Sequence, residues 1–304
     1  MAAPGGPPIR RVELHLRGAG AAGRAPLLFQ RAWLPPAPRA VLALVHGYAE
    51  HSGRYEHFGA WFARRGCAVH GYDQRGHGRS EGPRCHVDRF GDYLDDLDRV
   101  LERVRAEHSE LPLVLVGHSM GGLVVASYLS DRRPPLAGAV LSGPVLALGP
   151  GVSRARKLAA RTLRFVWPRL ALGSGLDPAG LSRDEEVVRR YVEDPLVERT
   201  MTAGLGAEIL AAVPRAAARA FEIQVPVLVL HGVDDPMCPV EGSAAFHGGL
   251  QVPGSSFRPY PGLRHEIFNE PEHEQVFADV LAFLERTALR DEWAPGRGAA
   301  AASA

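Results

Sequence analysis

Short apolar runs alternate along the chain with segments whose hydrophobic positions recur at helical spacing. The apolar runs cover residues 41–45, 67–72, 113–116, 139–141 and 225–230, and helical patterns at 58–65, 93–107 and 123–129 separate most of them. Runs that are apolar at every position are typical of parallel strands buried on both faces. The alternation therefore predicts an α/β fold, in which helices cover both faces of a mostly parallel central sheet.

The two ends of the chain extend this pattern. Residues 12–16 alternate between polar and apolar, which predicts an edge strand, and residues 27–33 are expected to pair with it as a hairpin. A last strand is predicted near 257–260 and a closing helix at 272–287. These elements complete the predicted sheet and its helical cover.

The alternation of strands and helices stops between about Gly143 and Pro214. A connection of roughly 70 residues is too long for a loop in a compact domain, so we predict an inserted helical lid. Helical patterns at 185–192 and 205–212 support this interpretation. The predicted organisation is a core over 1–143 and 215–290, a helical cap over 144–214, and a disordered, Ala/Gly/Ser-rich tail at 291–304.

Composition narrows the class of function. The 304 residues carry a net charge of +1, which argues against a nucleic-acid-binding surface. The three cysteines fit a reducing compartment, and residues 1–10 do not resemble a secretory signal. No run approaches the ~20 apolar residues that a membrane span needs. The sequence thus predicts a soluble, cytoplasmic protein.

One short motif contains a candidate nucleophile. Ser119 lies in the segment Gly117-His118-Ser119-Met120-Gly121, directly after the apolar run at 113–116 and before a helical segment. A G-x-S-x-G segment in this context forms a tight turn from strand to helix, which holds the serine hydroxyl out above the sheet edge. The motif alone is weak, but its position predicts a nucleophile elbow at Ser119.

A serine hydroxyl needs a histidine as general base and a carboxylate that orients the histidine. Two adjacent acids follow the apolar run at 225–230. Asp235 fits the pattern H-G-x-x-D-x-x-x-P, and Asp234 stays open as the alternative. His265 follows the last predicted strand, in a loop before the closing helix. The order Ser119, Asp235, His265 is the order expected of α/β-hydrolases.

Acyl transfer also needs backbone N–H groups that stabilise an oxyanion. Met120, the residue after the candidate nucleophile, provides one candidate donor, and Tyr48 in the loop after 41–45 provides the other. We expect the ring of His46 to brace that loop. The sequence has no H-E-x-x-H motif and no Walker lysine motif, so we expect neither a metal nor another cofactor.

Three longer motifs resemble the monoacylglycerol lipase family of α/β-hydrolases. They begin at His46 (HGYAEHSGRY), Asp73 (DQRGHGRSEG) and Gly117 (GHSMGG), and the resemblance covers roughly residues 27–284. It implies the same three catalytic residues and the same two oxyanion donors. Tyr48 departs from the family pattern, because some members have a small residue at that position.

The resemblance implies a serine esterase that cleaves a small lipid ester, monoacylglycerol, into fatty acid and glycerol. A lysophospholipase or a general carboxylesterase is the alternative within this class. A non-catalytic ligand receptor with an α/β-hydrolase fold is the alternative from another class. A peptidase is not favoured, because the sequence suggests no acidic pocket for an amine.

Residues 152–167 predict an amphipathic helix in the lid, ended by Pro168. Its basic face contains Arg154, Lys157, Arg161 and Arg164. The first interpretation places the apolar face, including Val166, on an acyl pocket and the basic face in water. The alternative is a peripheral membrane contact through the lid.

Overall fold

A computed structural model describes residues 8–20, 25–149 and 153–289. Within these residues the strands are β1 (Arg10–Arg17), β2 (Leu27–Leu34), β3 (Ala40–Val45), β4 (Cys67–Tyr72), β5 (Leu113–His118), β6 (Gly138–Ser142), β7 (Ala171–Gly173), β8 (Thr200–Thr202), β9 (Val227–Gly232) and β10 (Ser256–Tyr260). All except β7 and β8 form one sheet in the order β1-β2-β4-β3-β5-β6-β9-β10.

The sheet is parallel except at one edge. β1 pairs antiparallel with β2, and β2 pairs antiparallel with β4, so the predicted hairpin forms the antiparallel edge. From β4 to β10 every pair of neighbouring strands is parallel. The α/β fold with a mostly parallel sheet, predicted from the sequence, is confirmed.

Helices cover both faces of this sheet. In the described residues they are α1 (Glu56–Ala63), α2 (Gly91–Glu107), α3 (Met120–Arg132), α4 (Arg154–Val166), α5 (Glu185–Glu193), α6 (Ala203–Ala218), α7 (Val240–Gly249) and α8 (His273–Thr287). α7 was not predicted from the sequence, because its segment VEGSAAFHGG has little hydrophobic periodicity. None of the helices in the described ranges has both the length and the apolar content that a membrane span requires.

Successive residues of the central strands point into two different apolar cores. Leu42 and Leu44 of β3 pack on one face with Phe58 of α1 and Phe277 of α8. The alternate β3 residues pack on the other face with apolar side chains of α2 and α3. Burial on both faces explains why these strands are apolar at every position.

The long connection between β6 and β9 contains α4, β7, α5, β8 and α6. β7 and β8 form a short antiparallel pair that is separate from the main sheet. The predicted cap ends at 214, but Pro214 lies inside α6, which continues to Ala218. Ala212, Val213 and Ala216 are buried in the core, and their packing holds the helix together although a proline interrupts its hydrogen bonds. The tail at 291–304 lies outside the described residues.

Candidate active site

Ser119 occupies a strained turn between β5 and α3. Its backbone has φ = 53° and ψ = −119°, a conformation that residues other than glycine rarely adopt. The turn is tight, since a Cβ on Gly117 would lie 2.5 Å from the carbonyl oxygen of Gly121. A Cβ on Gly121 would lie 2.1 Å from the carbonyl oxygen of Val45. The two glycines are therefore required for the turn that presents the Ser119 hydroxyl.

The structure brings the three predicted catalytic residues into one chain of hydrogen bonds. His265 Nε2 lies 2.9 Å from Ser119 Oγ, and His265 Nδ1 lies 2.7 Å from Asp235 Oδ2. Ser119 follows β5, Asp235 follows β9 and His265 follows β10, so all three lie at the carboxyl ends of parallel strands. The arrangement has the order and spacing of a Ser–His–Asp triad.

Asp235 is fixed by three further hydrogen bonds. Its Oδ1 accepts from the backbone N–H groups of Met237 and Cys238 at 2.8 and 3.0 Å, and its Oδ2 lies 3.1 Å from His231 Nε2. The Asp235 side chain is fully buried, whereas the alternative, Asp234, is exposed. The geometry thus selects Asp235 as the residue that contacts His265.

The charges of Asp235 and His265 depend on each other. Burial opposes ionisation of Asp235, but His265, His231 and the Cys238 amide outweigh it and lower the pKa of that carboxyl. Burial also opposes a charge on His265, but the Asp235 carboxylate outweighs it and raises the pKa of the imidazole well above 6.5. The Asp235 carboxylate therefore favours the charged form of the His265 imidazole.

The predicted oxyanion loop is held from two sides. Gly47 N–H donates to Glu50 Oε1 at 2.6 Å, and the hydroxyl of Tyr55 donates to the same oxygen at 2.7 Å. On the other side His46 Nε2 accepts from the backbone N–H of Gln74 at 2.9 Å, so the His46 ring braces the loop. These bonds fix the backbone next to Tyr48.

Met120, the other predicted oxyanion donor, is the first residue of α3. The N–H groups of the first turn have no partner within their own helix, so this one can serve a bound group. The oxyanion loop touches the nucleophile, since a Cβ on Gly47 would lie 3.1 Å from Ser119 Cβ. The two candidate donors thus flank the same serine.

A cavity of about 430 Å³ opens onto Ser119 and His265. Its apolar lining comes from the core and from the β6–β9 connection, and includes Val145, Leu148, Leu172, Leu176, Met201, Ile209 and Leu210. Its polar lining includes Glu50, Tyr191 and Glu266. The cavity is within the size range of small-molecule sites and combines an apolar region with a polar one.

The polar lining of the cavity was not predicted from the sequence. The sequence suggested no acidic pocket, but Glu50 and Glu266 line the cavity wall. Arg54, behind that wall, bonds to both carboxylates. The signal was present in part, since Glu50 and Arg54 belong to the motif that begins at His46. His231, which contacts Asp235, was also visible as the first residue of the H-G-x-x-D pattern.

Helix α4 differs from its predicted orientation. Ala159 and Ala160 line the cavity, but Val166, predicted to face inward, is exposed. Arg164 pairs with Glu208 at 2.7 Å instead of lying on a free basic face. The side chains of Arg154, Lys157 and Arg161 lie outside the described part of the structure.

One group of three potential metal ligands occurs in the described residues, and it contains Asp235, Cys238 and His265. Asp235 and His265 already bond to each other, and His265 also bonds to Ser119. Burial raises the pKa of the Cys238 thiol, which disfavours the thiolate that a metal would need. The bonds of Asp235 and His265 place these two residues for proton transfer with Ser119 rather than for metal binding.

Known proteins with similar sequences identify the family. A family model described as Hydrolase_4, serine aminopeptidase S33, matches residues 36–272. The monoacylglycerol lipase of Mycolicibacterium smegmatis is 36% identical over 254 residues, which cover 83% of this chain and 90% of that protein. The chain belongs to the monoacylglycerol lipase family of α/β-hydrolases.

Two further proteins are similarly close to this chain. Phospholipase YtpA of Bacillus subtilis is 33% identical, over 84% of this chain and 98% of its own length. The crystal structure of Paleococcus ferrophilus monoacylglycerol lipase superposes with a TM-score of 0.77 at 34% identity, covering 84% of this chain and 98% of that one. The family predicted from the sequence is confirmed, and with it the assignment to the ester hydrolases.

Proposed function

We propose that this protein hydrolyses monoacylglycerols to fatty acid and glycerol. The observation that carries the proposal is the hydrogen-bonded chain Ser119–His265–Asp235 at the wall of a cavity with an apolar side and a polar side. The apolar side suits one acyl chain, and the polar side suits a small alcohol. The relatives named as monoacylglycerol lipases support the same substrate.

The residues act in two steps. Ser119 Oγ attacks the ester carbonyl while His265 Nε2 takes its proton, and the Tyr48 and Met120 N–H groups stabilise the oxyanion. His265 then protonates the leaving glycerol oxygen, which leaves an acyl-enzyme on Ser119. A water molecule gives a proton to His265 and attacks the acyl group, and His265 then returns the proton to Ser119 Oγ as the bond to the acyl carbon breaks and the fatty acid leaves. Asp235 stabilises the imidazolium in both steps. We propose no cofactor and no metal for this reaction.

The cavity predicts a preference for a single acyl chain. For glycerides of dodecanoic acid, we expect kcat/KM to be at least about 10-fold higher for the monoacylglycerol than for the di- or triacylglycerol, because one acyl chain fills the apolar side of the cavity. The measurement is fatty acid release from the three glycerides in the same detergent. Faster hydrolysis of the triacylglycerol would contradict the proposed substrate.

We also propose that the lid contacts a membrane surface from which it takes its substrate. Phe165 and Val166 at the end of α4 are 80 and 78% exposed, and Trp167 directly after the helix is 61% exposed. The same helix lines the cavity through Ala159 and Ala160. Large exposed apolar side chains beside a cavity mouth favour insertion into the lipid interface. The cap over residues 144–214 is the part of the chain that we propose for this contact.

Phe165→Asp is expected to reduce binding to anionic vesicles about 10-fold or more, because a carboxylate replaces an apolar side chain that would enter the interface. Flotation with phosphatidylglycerol vesicles at low salt measures the bound fraction. Phe221→Asp is the matched control, since Phe221 is 56% exposed but lies outside the lid. Equal losses in both variants, or no binding by the wild type, would refute the membrane contact.

A further inference from the structure

The polar side of the cavity is built around one arginine held between two glutamates. Arg54 donates from Nη1 and Nη2 to the Glu266 carboxylate at 2.5 and 2.8 Å, and from Nη1 to Glu50 at 3.0 Å. The three side chains are 9% exposed or less. The Tyr191 ring covers the guanidinium, whose carbon lies 4.8 Å from the ring centroid. We call Glu50, Arg54 and Glu266 the carboxylate clamp.

The carboxylate clamp carries an excess negative charge. Burial opposes ionisation of Glu50, but Arg54 outweighs it, together with His118, and lowers the pKa of Glu50 to about 2. The two glutamates raise the pKa of Arg54 against the effect of burial, so it stays protonated. Burial and the neighbouring His265 lower the pKa of His118 to about 4, so His118 is neutral at pH 7. Two carboxylates and one guanidinium leave the clamp with one negative charge in excess.

The clamp lies beside the groups that act on the alcohol part of the ester. Glu266 follows His265 directly in the chain, and Glu50 accepts a hydrogen bond from Gly47 of the oxyanion loop. Both carboxylates line the cavity, whereas Arg54 does not. Among the side chains that the structure describes, no lysine or arginine lines this cavity. An anionic group there would meet uncompensated negative charge in a buried place, where solvent screens it little.

We propose that the carboxylate clamp is a charge filter for the leaving alcohol. It admits uncharged and cationic alcohols and rejects alcohols that carry phosphate. Arg54, the cation of the clamp, is already bonded to two carboxylates and cannot pair with a phosphate without breaking those bonds. The inference rests on the proposed ester hydrolysis and narrows its substrates to esters without an anionic head group.

A series of dodecanoyl esters tests the filter on the wild-type protein. The alcohols are glycerol, choline and glycerol 3-phosphate, which are neutral, cationic and anionic, and all are assayed below their critical micelle concentrations. We expect kcat/KM for the choline ester within about 10-fold of the glycerol ester, and for the phosphate ester about 100-fold or more below it. The choline ester shows whether a charge of either sign is excluded, and the size-conserving Glu266→Gln variant below separates charge from size.

Glu266→Gln removes one negative charge and keeps the size of the side chain. It is expected to raise the ratio of phosphate-ester to glycerol-ester kcat/KM at least about 10-fold, because Glu50 and Arg54 alone leave the clamp without a net negative charge. Glu272→Gln is the control, since Glu272 is 45% exposed and pairs with Arg183 on the surface, so the ratio should stay the same. A ratio of two rates is unaffected by a uniform loss of activity.

The outcomes separate the filter from the proposed function. Equal hydrolysis of the glycerol and phosphate esters would overturn the filter and leave the esterase assignment standing, as would rejection of both charged esters. If the wild type cleaves none of the three esters, the proposed function fails and the filter fails with it. Should Glu266→Gln not fold, the wild-type series still tests the filter, because equal hydrolysis of the glycerol and phosphate esters overturns it.

Discussion

Ser119→Ala is expected to lower kcat for monoacylglycerol by about 10⁵- to 10⁶-fold, because the variant has no oxygen that can form the acyl-enzyme. The residual rate would come from the oxyanion donors and from substrate binding. The measurement is fatty acid release at saturating monododecanoylglycerol, with the folded state checked by thermal unfolding. A fluorophosphonate probe should label the wild type and leave the variant unlabelled.

Ser127→Ala is the matched control for this experiment. Ser127 lies on α3, the helix that begins directly after Ser119, and its buried hydroxyl has no hydrogen-bond partner among the described residues. Removing that hydroxyl should leave both kcat and the melting temperature nearly unchanged. Equal activity of Ser119→Ala and the wild type would refute the enzymatic function and would favour the ligand receptor that the sequence left as an alternative.

The parts of the site that could be predicted from the sequence are those with local steric or topological causes. Gly117 and Gly121 are required because any Cβ there would collide with backbone oxygens, so the elbow is visible as a short motif. Asp235 and His265 follow predicted strands, and parallel strands bring their carboxyl ends to one edge of the sheet. These relations need no knowledge of side-chain packing.

The polar side of the cavity has no such local cause. Arg54 and Glu266 are 212 positions apart in sequence, and their pairing depends on the loop after β3 meeting the loop after β10. The sequence contains 34 acidic and 35 basic residues, so it offers many candidate pairs of opposite charge. Only the fold shows which pair is buried. The same reason explains why the sequence suggested no acidic pocket.

The orientation of α4 was missed for a related reason. A periodic pattern predicts two faces of a helix but does not show what covers each of them. Arg164 is partly buried because Glu208 of α6 lies opposite, whereas Phe165 and Val166 have no covering element in the described structure. The exposed apolar end of α4 is a property of the lid as a whole, and it is the basis for the proposed membrane contact.

Asp235→Asn is expected to lower kcat/KM by about 10⁴-fold near neutral pH. The Asn side chain has only one oxygen. In the wild type the Met237 and Cys238 N–H groups donate to Asp235 Oδ1, so we expect the single Asn oxygen to take the place of Oδ1. The amide NH₂ would then face His265 Nδ1 and force the proton onto Nε2. In that tautomer Nε2 cannot accept the proton of Ser119, so the general base is lost.

The same variant should change the pH dependence in a defined direction. His265 must be neutral to accept a proton, so kcat/KM falls as the pH drops through its pKa. In the wild type the Asp235 carboxylate raises that pKa above 6.5, which places the midpoint of the acid limb above pH 6.5. The neutral amide of Asn removes the main cause of the raised His265 pKa, whereas burial, which lowers that pKa, remains. The midpoint should therefore move to lower pH, by at least about one unit.

Asp234→Asn separates this effect from a general change in the loop. Asp234 is the adjacent acid and is exposed, so its variant should keep both the rate and the midpoint of the wild type. A large loss in Asp234→Asn with little effect in Asp235→Asn would transfer the orienting role to Asp234. Losses in Asp235→Asn without a shift of the acid limb would mean that Asp235 only supports the loop, because a carboxylate that stabilises the imidazolium must also hold its pKa up.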